Sequence, residues 1–214
     1  MPRTLPITIS LMLALACLAG VKAPWANAWA QRSAASRGSQ NPSGVAAIEA
    51  YARELDAYAR RNARRGRLFA DTANYEDGSA PRWQEFRTQR ALERAESYSV
   101  ATVWPQATNE ALVARFVLSS PSGDWAQYAT YYYRSDGTLA KLHSELRTFM
   151  GDLIVIRDRL YDSGGKLLQE KTRYLDLNTR KPKKVEAGSF MDVPLEVYAK
   201  TNALPFYSLL KKKG

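Results

Sequence analysis

From residue 98 to residue 177 apolar and polar positions alternate with a period of two, in stretches separated by Gly, Pro, Asn, Asp and Ser. The alternation predicts six antiparallel strands, at 98–104, 110–118, 125–134, 138–149, 153–162 and 166–177, with turns at 105–109, 119–124, 135–137, 150–152 and 163–165. Upstream the period lengthens. Ile48, Tyr51, Ala52, Leu55, Ala59 and Ala63 recur at three and four, which predicts a helix capped by Ser43, running to about residue 65 and stopped by Gly66 as a left-handed C′ residue. Residues 71–81 read as a loop. Trp83, Phe86, Arg90 and Leu92 fall near one stripe of a second helix over 82–96, with a strand opening at Trp83 as the other reading.

Two turns carry nearly the same phrase, Tyr133-Arg134-Ser135-Asp136-Gly137-Thr138-Leu139 and Tyr161-Asp162-Ser163-Gly164-Gly165-Lys166-Leu167. A glycine in last position fits a type I turn closed by a left-handed residue in a bulge, so Gly137 and Gly165 are expected to serve the backbone. Asn109 stands at the corresponding place of a third hairpin. The Tyr-x-x-x-Gly-x-Leu phrase is similar to hairpin repeats of the YD and MORN-like kinds found in bacterial surface and secreted proteins. That resemblance implies hairpins and carries no activity.

The predicted fold class is α+β: an N-terminal helix packed on a curved antiparallel six-stranded meander, an open or partly closed barrel-like sheet. After Leu177 a basic stretch, Arg180-Lys181-Pro182-Lys183-Lys184, precedes apolar groups from Pro194 to Leu210. These predict a covering segment that ends in a short helix or extended chain on the sheet or its open edge. In the fourth strand Ala140, Leu142, Leu146 and Thr148 share one side, and Lys141, His143, Glu145 and Arg147 the other. A tight connection at 150–152 would place Leu146 beside Ile156 and Leu142 beside Leu160, and so Glu145 against Arg157 and His143 against Arg159. The helix is expected to cover the apolar side, which Ala114, Phe116, Thr172 and Tyr174 would extend.

Residues 1–30 combine Arg3, an apolar run from Leu5 to Val21 and small residues at Ala26, Ala28 and Ala30, the make-up of a secretory signal peptide. Residues 31–44 hold no large apolar side chain and read as a flexible leader, which leaves 45–214 as one globular domain. An exported protein, periplasmic or extracellular, is therefore expected, with no transmembrane segment after cleavage. Cys17, the only cysteine, lies inside the apolar run. A lipoprotein anchored there is disfavoured, because the run continues past it and Ala14 stands where a leucine is usual.

The formal charge is +10, and loss of residues 1–30 removes Arg3 and Lys22 but no acid. A cation-rich exported surface points to an anionic lipid or glycan as partner rather than to nucleic acid. The predicted charged face gathers Arg147, Arg157, Arg159, Lys171 and Arg173 around Glu145 and His143, with Tyr131 as an aromatic neighbour. Guanidinium groups beside rings accept phosphates and carboxylates, although long cationic side chains also simply solvate one face of such a sheet. One histidine and one cysteine do not make a metal site, a nucleophilic triad or a cofactor cradle, so no catalytic residue, metal or cofactor is expected. The reading is a non-enzymatic envelope or secreted protein that binds an anionic or amphipathic ligand on its sheet. The alternatives are a lipid or lipoprotein carrier with an apolar cavity between helix and sheet, and an enzyme with an unrecognised site.

Overall fold

The computed structural model describes residues 42–74, 77–105, 111–186, 190 and 192–211, without the Ala111 side chain. The expected signal peptide with Cys17, nearly all of the leader, Asn109 and most of the turn at 105–109 lie outside these residues. All described residues belong to one compact unit, 39–214.

The fold is α+β, with one open antiparallel sheet of eight strands and few helices. The order is β2-β1-β3-β4-β5-β6-β7-β8. Helix α1 (Val45–Arg61) leads by a 3-10 turn into β1 (Arg67–Asp71) and β2 (Trp83–Phe86). Helix α2 (Gln89–Glu93) precedes the meander of β3 (Ser99–Pro105), β4 (Ala111–Ser119), β5 (Trp125–Tyr133), β6 (Leu139–Thr148), β7 (Leu153–Tyr161) and β8 (Leu167–Asp176), and α3 (Tyr207–Lys211) closes the chain. Among the described residues no helix is long and apolar enough to cross a membrane.

The six expected strands form within a residue or so of their predicted ends. Two further strands are present: β1 ends at Asp71, where the expected loop begins, and β2 follows the other reading of 82–96, a strand opening at Trp83, while α2 forms within the remainder of the expected second helix. Trp83 and Phe86 sit on opposite faces of a short strand, and Thr88 begins α2 by accepting a hydrogen bond from Ala91 N at 3.1 Å. The cap of α1 is Gly44, at φ 82°, with no side-chain hydrogen bond, instead of Ser43. Gly66 is not left-handed either (φ −63°). It is needed for room, because a Cβ there would lie 2.8 Å from Thr102 Cγ2 and 3.2 Å from the Trp104 ring.

The register departs from expectation on both sides of β7. Thr148 pairs with Leu153, so four residues, Phe149 to Asp152, make the β6–β7 connection, with Gly151 at φ 81° and Asp152 at φ 46°. The expected connection was one residue tighter, and a slip of one residue sends every side chain of β7 to the opposite face. Leu142 therefore pairs with Arg159, Leu146 with Val155, His143 with Asp158 and Glu145 with Ile156.

Cover is also exchanged between the faces. The apolar face bearing Phe69, Phe116, Tyr131 and Leu142 packs against the C-terminal strap, through Leu204, Phe206 and Leu210, with Leu195 and Tyr198 at its margin. Val185, Phe190 and Val193 cover its far end over Leu146, Leu153 and Val155. Helix α1 lies on the opposite face. Its Ala52, Leu55 and Ala59 meet Trp104, Val113 and Tyr132, and its Ile48 meets Ala140 and Leu160. The strap also joins the sheet by a bridge between Thr138 and Lys200, while Pro182 bridges to Leu175 on the β8 edge.

Both repeated turns close as expected, with Gly137 at φ 81° and Gly165 at φ 85°. Their surroundings differ: a Cβ on Gly137 would lie 2.8 Å from Thr201 Oγ1 of the strap, whereas nothing lies within 4 Å of one on Gly165. Gly165→Ala is thus expected to cost about 1 kcal/mol, the left-handed penalty alone, and Gly137→Ala about 3 kcal/mol through the added clash. Urea denaturation of the two variants measures the difference, and equal costs would mean that the strap does not hold the turn.

Candidate functional site

On the helix side of the sheet, Arg115, Thr130, His143, Asp158 and Lys171 lie in register across β4 to β8 and form one polar row. The next row is Val117, Tyr128, Glu145, Ile156 and Arg173. Helix α1 borders these rows with two acids. Asp56 Oδ1 accepts from Arg115 at 2.9 Å and from the buried Tyr132 hydroxyl at 3.1 Å, and Glu49 Oε2 accepts from Lys141 at 2.8 Å. Arg115 also lies over the Trp104 ring, 5.0 Å from its centroid.

Asp158 organises the centre. Its Oδ1 is 2.9 Å from His143 Nδ1 and 3.0 Å from Lys141 Nζ. The His143 contact, supported by Lys141 and opposed by burial, holds the Asp158 carboxyl down at about 2. Burial works against the Lys141 charge, but its hydrogen bonds to Glu49 and Asp158 outweigh that and raise its pKa. A carboxylate that fixes an imidazole through Nδ1 is the orienting half of a general-base pair, and Nε2 remains for other contacts. The sequence reading gave His143 no such partner, because the expected register set it against Arg159.

The predicted site residues divide between the two faces. His143, Glu145, Arg147, Lys171 and Arg173 share the helix side. Arg157, Arg159 and Tyr131 share the strap side, which corrects the single cationic face expected from sequence. Arg157 makes a paired contact to Asp192 of the strap, 2.8 Å to each oxygen, and this hydrogen bonding raises its pKa. Arg159 lies 3.3 Å from Glu170, and Tyr131 is buried with its hydroxyl on the Glu196 carbonyl. Burial pushes the Tyr131 hydroxyl far above its ordinary range.

On the helix side Arg147 bonds Glu145 at 2.6 Å and lies over the exposed Tyr128 ring at 4.8 Å. Lys171 and Arg173 are exposed on the edge strand, and neither has a carboxylate within ion-pair distance among the described residues. Lys171 stands opposite Asp158, and Arg157 opposite Thr172, so the two cations do not face each other.

One buried cation escaped the sequence reading. Arg134 is 1% exposed and donates to the carbonyls of Pro42, Leu139 and Tyr161 at 3.2, 2.7 and 2.5 Å. Burial lowers its pKa, with Asp136 and Tyr51 opposing. The available signal was the place where the repeated phrases carry opposite charges, Arg134 against Asp162. Among the described residues no group of three or more His, Cys, Asp or Glu is placed to hold a metal ion. Comparison of the chain with family models, with curated proteins and with solved structures finds no match.

Because the folded Asp158 pKa lies below its ordinary 3.8, its contribution to stability is complete above about pH 4 and is lost as the pH falls through about 2. The pair of values corresponds to on the order of 2 kcal/mol. Asp158→Asn is therefore expected to be less stable than the parent by that order at neutral pH, with the gap closing between about pH 4 and 2. Unfolding free energies measured in urea across this range test it, and a gap independent of pH would show that the carboxylate is not held by charge.

Proposed function

We propose that the protein is an exported, non-enzymatic binding protein that takes an anionic oxygen ligand, the phosphate or carboxylate of a lipid head group or glycan, on the uncovered part of the helix side of its sheet. The observation that carries this reading is the pair Lys171 and Arg173, exposed on β8 with no carboxylate within ion-pair distance among the described residues. The other cations of this face are engaged: Arg115 by Asp56, Lys141 by Glu49 and Asp158, and Arg147 by Glu145.

Arg147 over Tyr128 lies on the same face, on β6 and β5, two and three strands from the pair, and offers an extended ligand a further guanidinium and a ring. The net charge, +10 for the whole chain and +10 − 2 = +8 without Arg3 and Lys22 of residues 1–30, favours the encounter, and the signal-like pattern of residues 1–30 supports export. Arg157 and Arg159, the centre of the sequence-based candidate, leave this reading because they serve the opposite face.

The double substitution Lys171→Ser with Arg173→Ser is expected to weaken binding to phosphatidylglycerol vesicles or to a polyuronate by about tenfold or more, with the thermal midpoint unchanged. Sedimentation with vesicles and titration with the soluble polymer separate the two sources, and neutral phosphatidylcholine vesicles are the control. Arg159→Ser should leave binding intact. Undiminished binding by the double variant would remove the proposed function.

A further inference from the structure

We propose that the end of the sheet formed by the β6–β7 turn and the basic loop after β8 docks on an anionic lipid bilayer, with Phe149 and Met150 entering the lipid. The inference rests on the proposed function in taking an anionic lipid as partner, and it adds a second surface built from other residues.

Phe149 and Met150 are the two most exposed large apolar side chains among the described residues, at 67% and 53%. Single exposed apolar groups are common, but these two are adjacent and lie in one turn. The backbone there requires neither of them. Positive φ falls on Gly151 and Asp152, and the turn closes by Asp152 N donating to Phe149 O and Met150 N to Thr148 Oγ1, each at 3.1 Å. Polar residues at 149 and 150 would keep the same main-chain bonds. Phe149 N also donates to Asp124 O at 3.0 Å, which brings the β4–β5 turn alongside. Between the turns lies a hollow of about 270 Å³, lined in part by Trp125, Phe149 and Leu177, so the apolar surface continues past the two exposed side chains.

The basic stretch 180–184 is held against this turn. Lys183 Nζ donates to the carbonyls of Gly151 at 2.9 Å and Asp152 at 3.2 Å, and Leu177 N donates to Asp152 O at 2.9 Å. Lys183 therefore serves the fold. Arg180, Lys181 and Lys184 are exposed, with no carboxylate within ion-pair distance among the described residues. The acids nearby are Asp124, Asp152 and Asp176. Asp124 accepts from Ser122 Oγ at 2.6 Å, and Asp176 accepts from Thr179 N at 2.9 Å and from Lys183 Nζ at 3.3 Å.

Apolar side chains beside free cations match a bilayer of negative surface charge. Phe149 and Met150 can enter the boundary between head groups and acyl chains while Lys and Arg stay among the phosphates. A second copy of the chain would cover the same apolar pair but bring two sets of cations together. A soluble polyanion would meet the cations and leave the apolar pair in water.

The test is sedimentation of the full chain with phosphatidylglycerol vesicles, with phosphatidylcholine vesicles as control. Phe149→Ser with Met150→Ser is expected to weaken binding to the anionic vesicles by about tenfold or more, and to leave polyuronate binding and the thermal midpoint unchanged. Arg180→Ser with Lys181→Ser and Lys184→Ser should weaken vesicle binding at low salt and by less at high salt. In Phe149→Trp, the added indole emission should be quenched by vesicle lipids brominated in their acyl chains. Unchanged vesicle binding by the apolar double variant, no quenching, or self-association of the parent that the same variant abolishes would each overturn the inference. If the parent holds the polyuronate through Lys171 and Arg173 but the apolar variant keeps its vesicles, this inference falls and the proposed function stands. If the Lys171 and Arg173 double variant keeps its binding while the apolar variant loses the vesicles, the proposed function falls and this inference stands.

Discussion

The larger apolar face of this sheet is sealed by extended chain, and that seal determines much of what the other residues do. An extended segment brings unpaired N–H and C=O groups onto the surface it covers, and these need partners. The sheet supplies them. Tyr131 and Tyr133 give their hydroxyls to the carbonyls of Glu196 and Tyr198, and Arg67 gives its guanidinium to those of Leu209 and Leu210. Backbone bonds from Leu139 N to Ala199 O and from Thr201 N to Gly137 O fix the strap at the first repeated turn. Phe206, stacked on Phe69 with centroids 4.4 Å apart, supplies the apolar anchor. Polar atoms on a core-facing surface thus belong to the covering of that surface, as with Arg157, which holds Asp192 from beneath the strap.

Arg134 makes a second fastening of the same kind, with a full charge buried. A guanidinium without a carboxylate partner can leave water only when carbonyl oxygens replace its hydration, and three segments contribute one each. They are the entry to α1 at Pro42, the start of β6 at Leu139 and the end of β7 at Tyr161. Tyr51 of α1 reinforces the corner, its hydroxyl on the Tyr133 carbonyl at 2.9 Å and its pKa pushed up to about 12 by burial. The two hairpins of the repeated phrase are therefore unequal. The first is buried under helix and strap, and the second, with Asp162 in place of arginine, turns in solvent.

Strand positions and bulged turns were legible in the sequence because both are local. Alternation marks a strand without reference to its neighbours, and a glycine at the end of a three-residue turn marks a left-handed residue. The parity of β7 was not local. Leu153-Ile154-Val155-Ile156 is apolar on both faces and Arg157-Asp158-Arg159 is charged on both, so the strand reads equally well in either register. The choice fell to the turn before it, where Gly151 and Asp152 both take positive φ and lengthen the connection to four residues. Strands β1 and β2 were obscured for another reason. At five and four residues they are too short to show a period, and the spacing of Trp83 and Phe86 suits a helix as well as a strand.

That step of register, together with the bulge at Leu160/Tyr161, also decides the electrostatics of the helix side. With Arg157 and Arg159 on this face, it would hold an uninterrupted field of cations around Glu145. With Asp158 there instead, a carboxylate sits in the middle of the row, takes up Lys141 and orients His143, and confines uncompensated positive charge to Lys171 and Arg173 at the edge. The surface becomes selective by subtraction: most of its cations already have partners, and an incoming anion meets the few that do not.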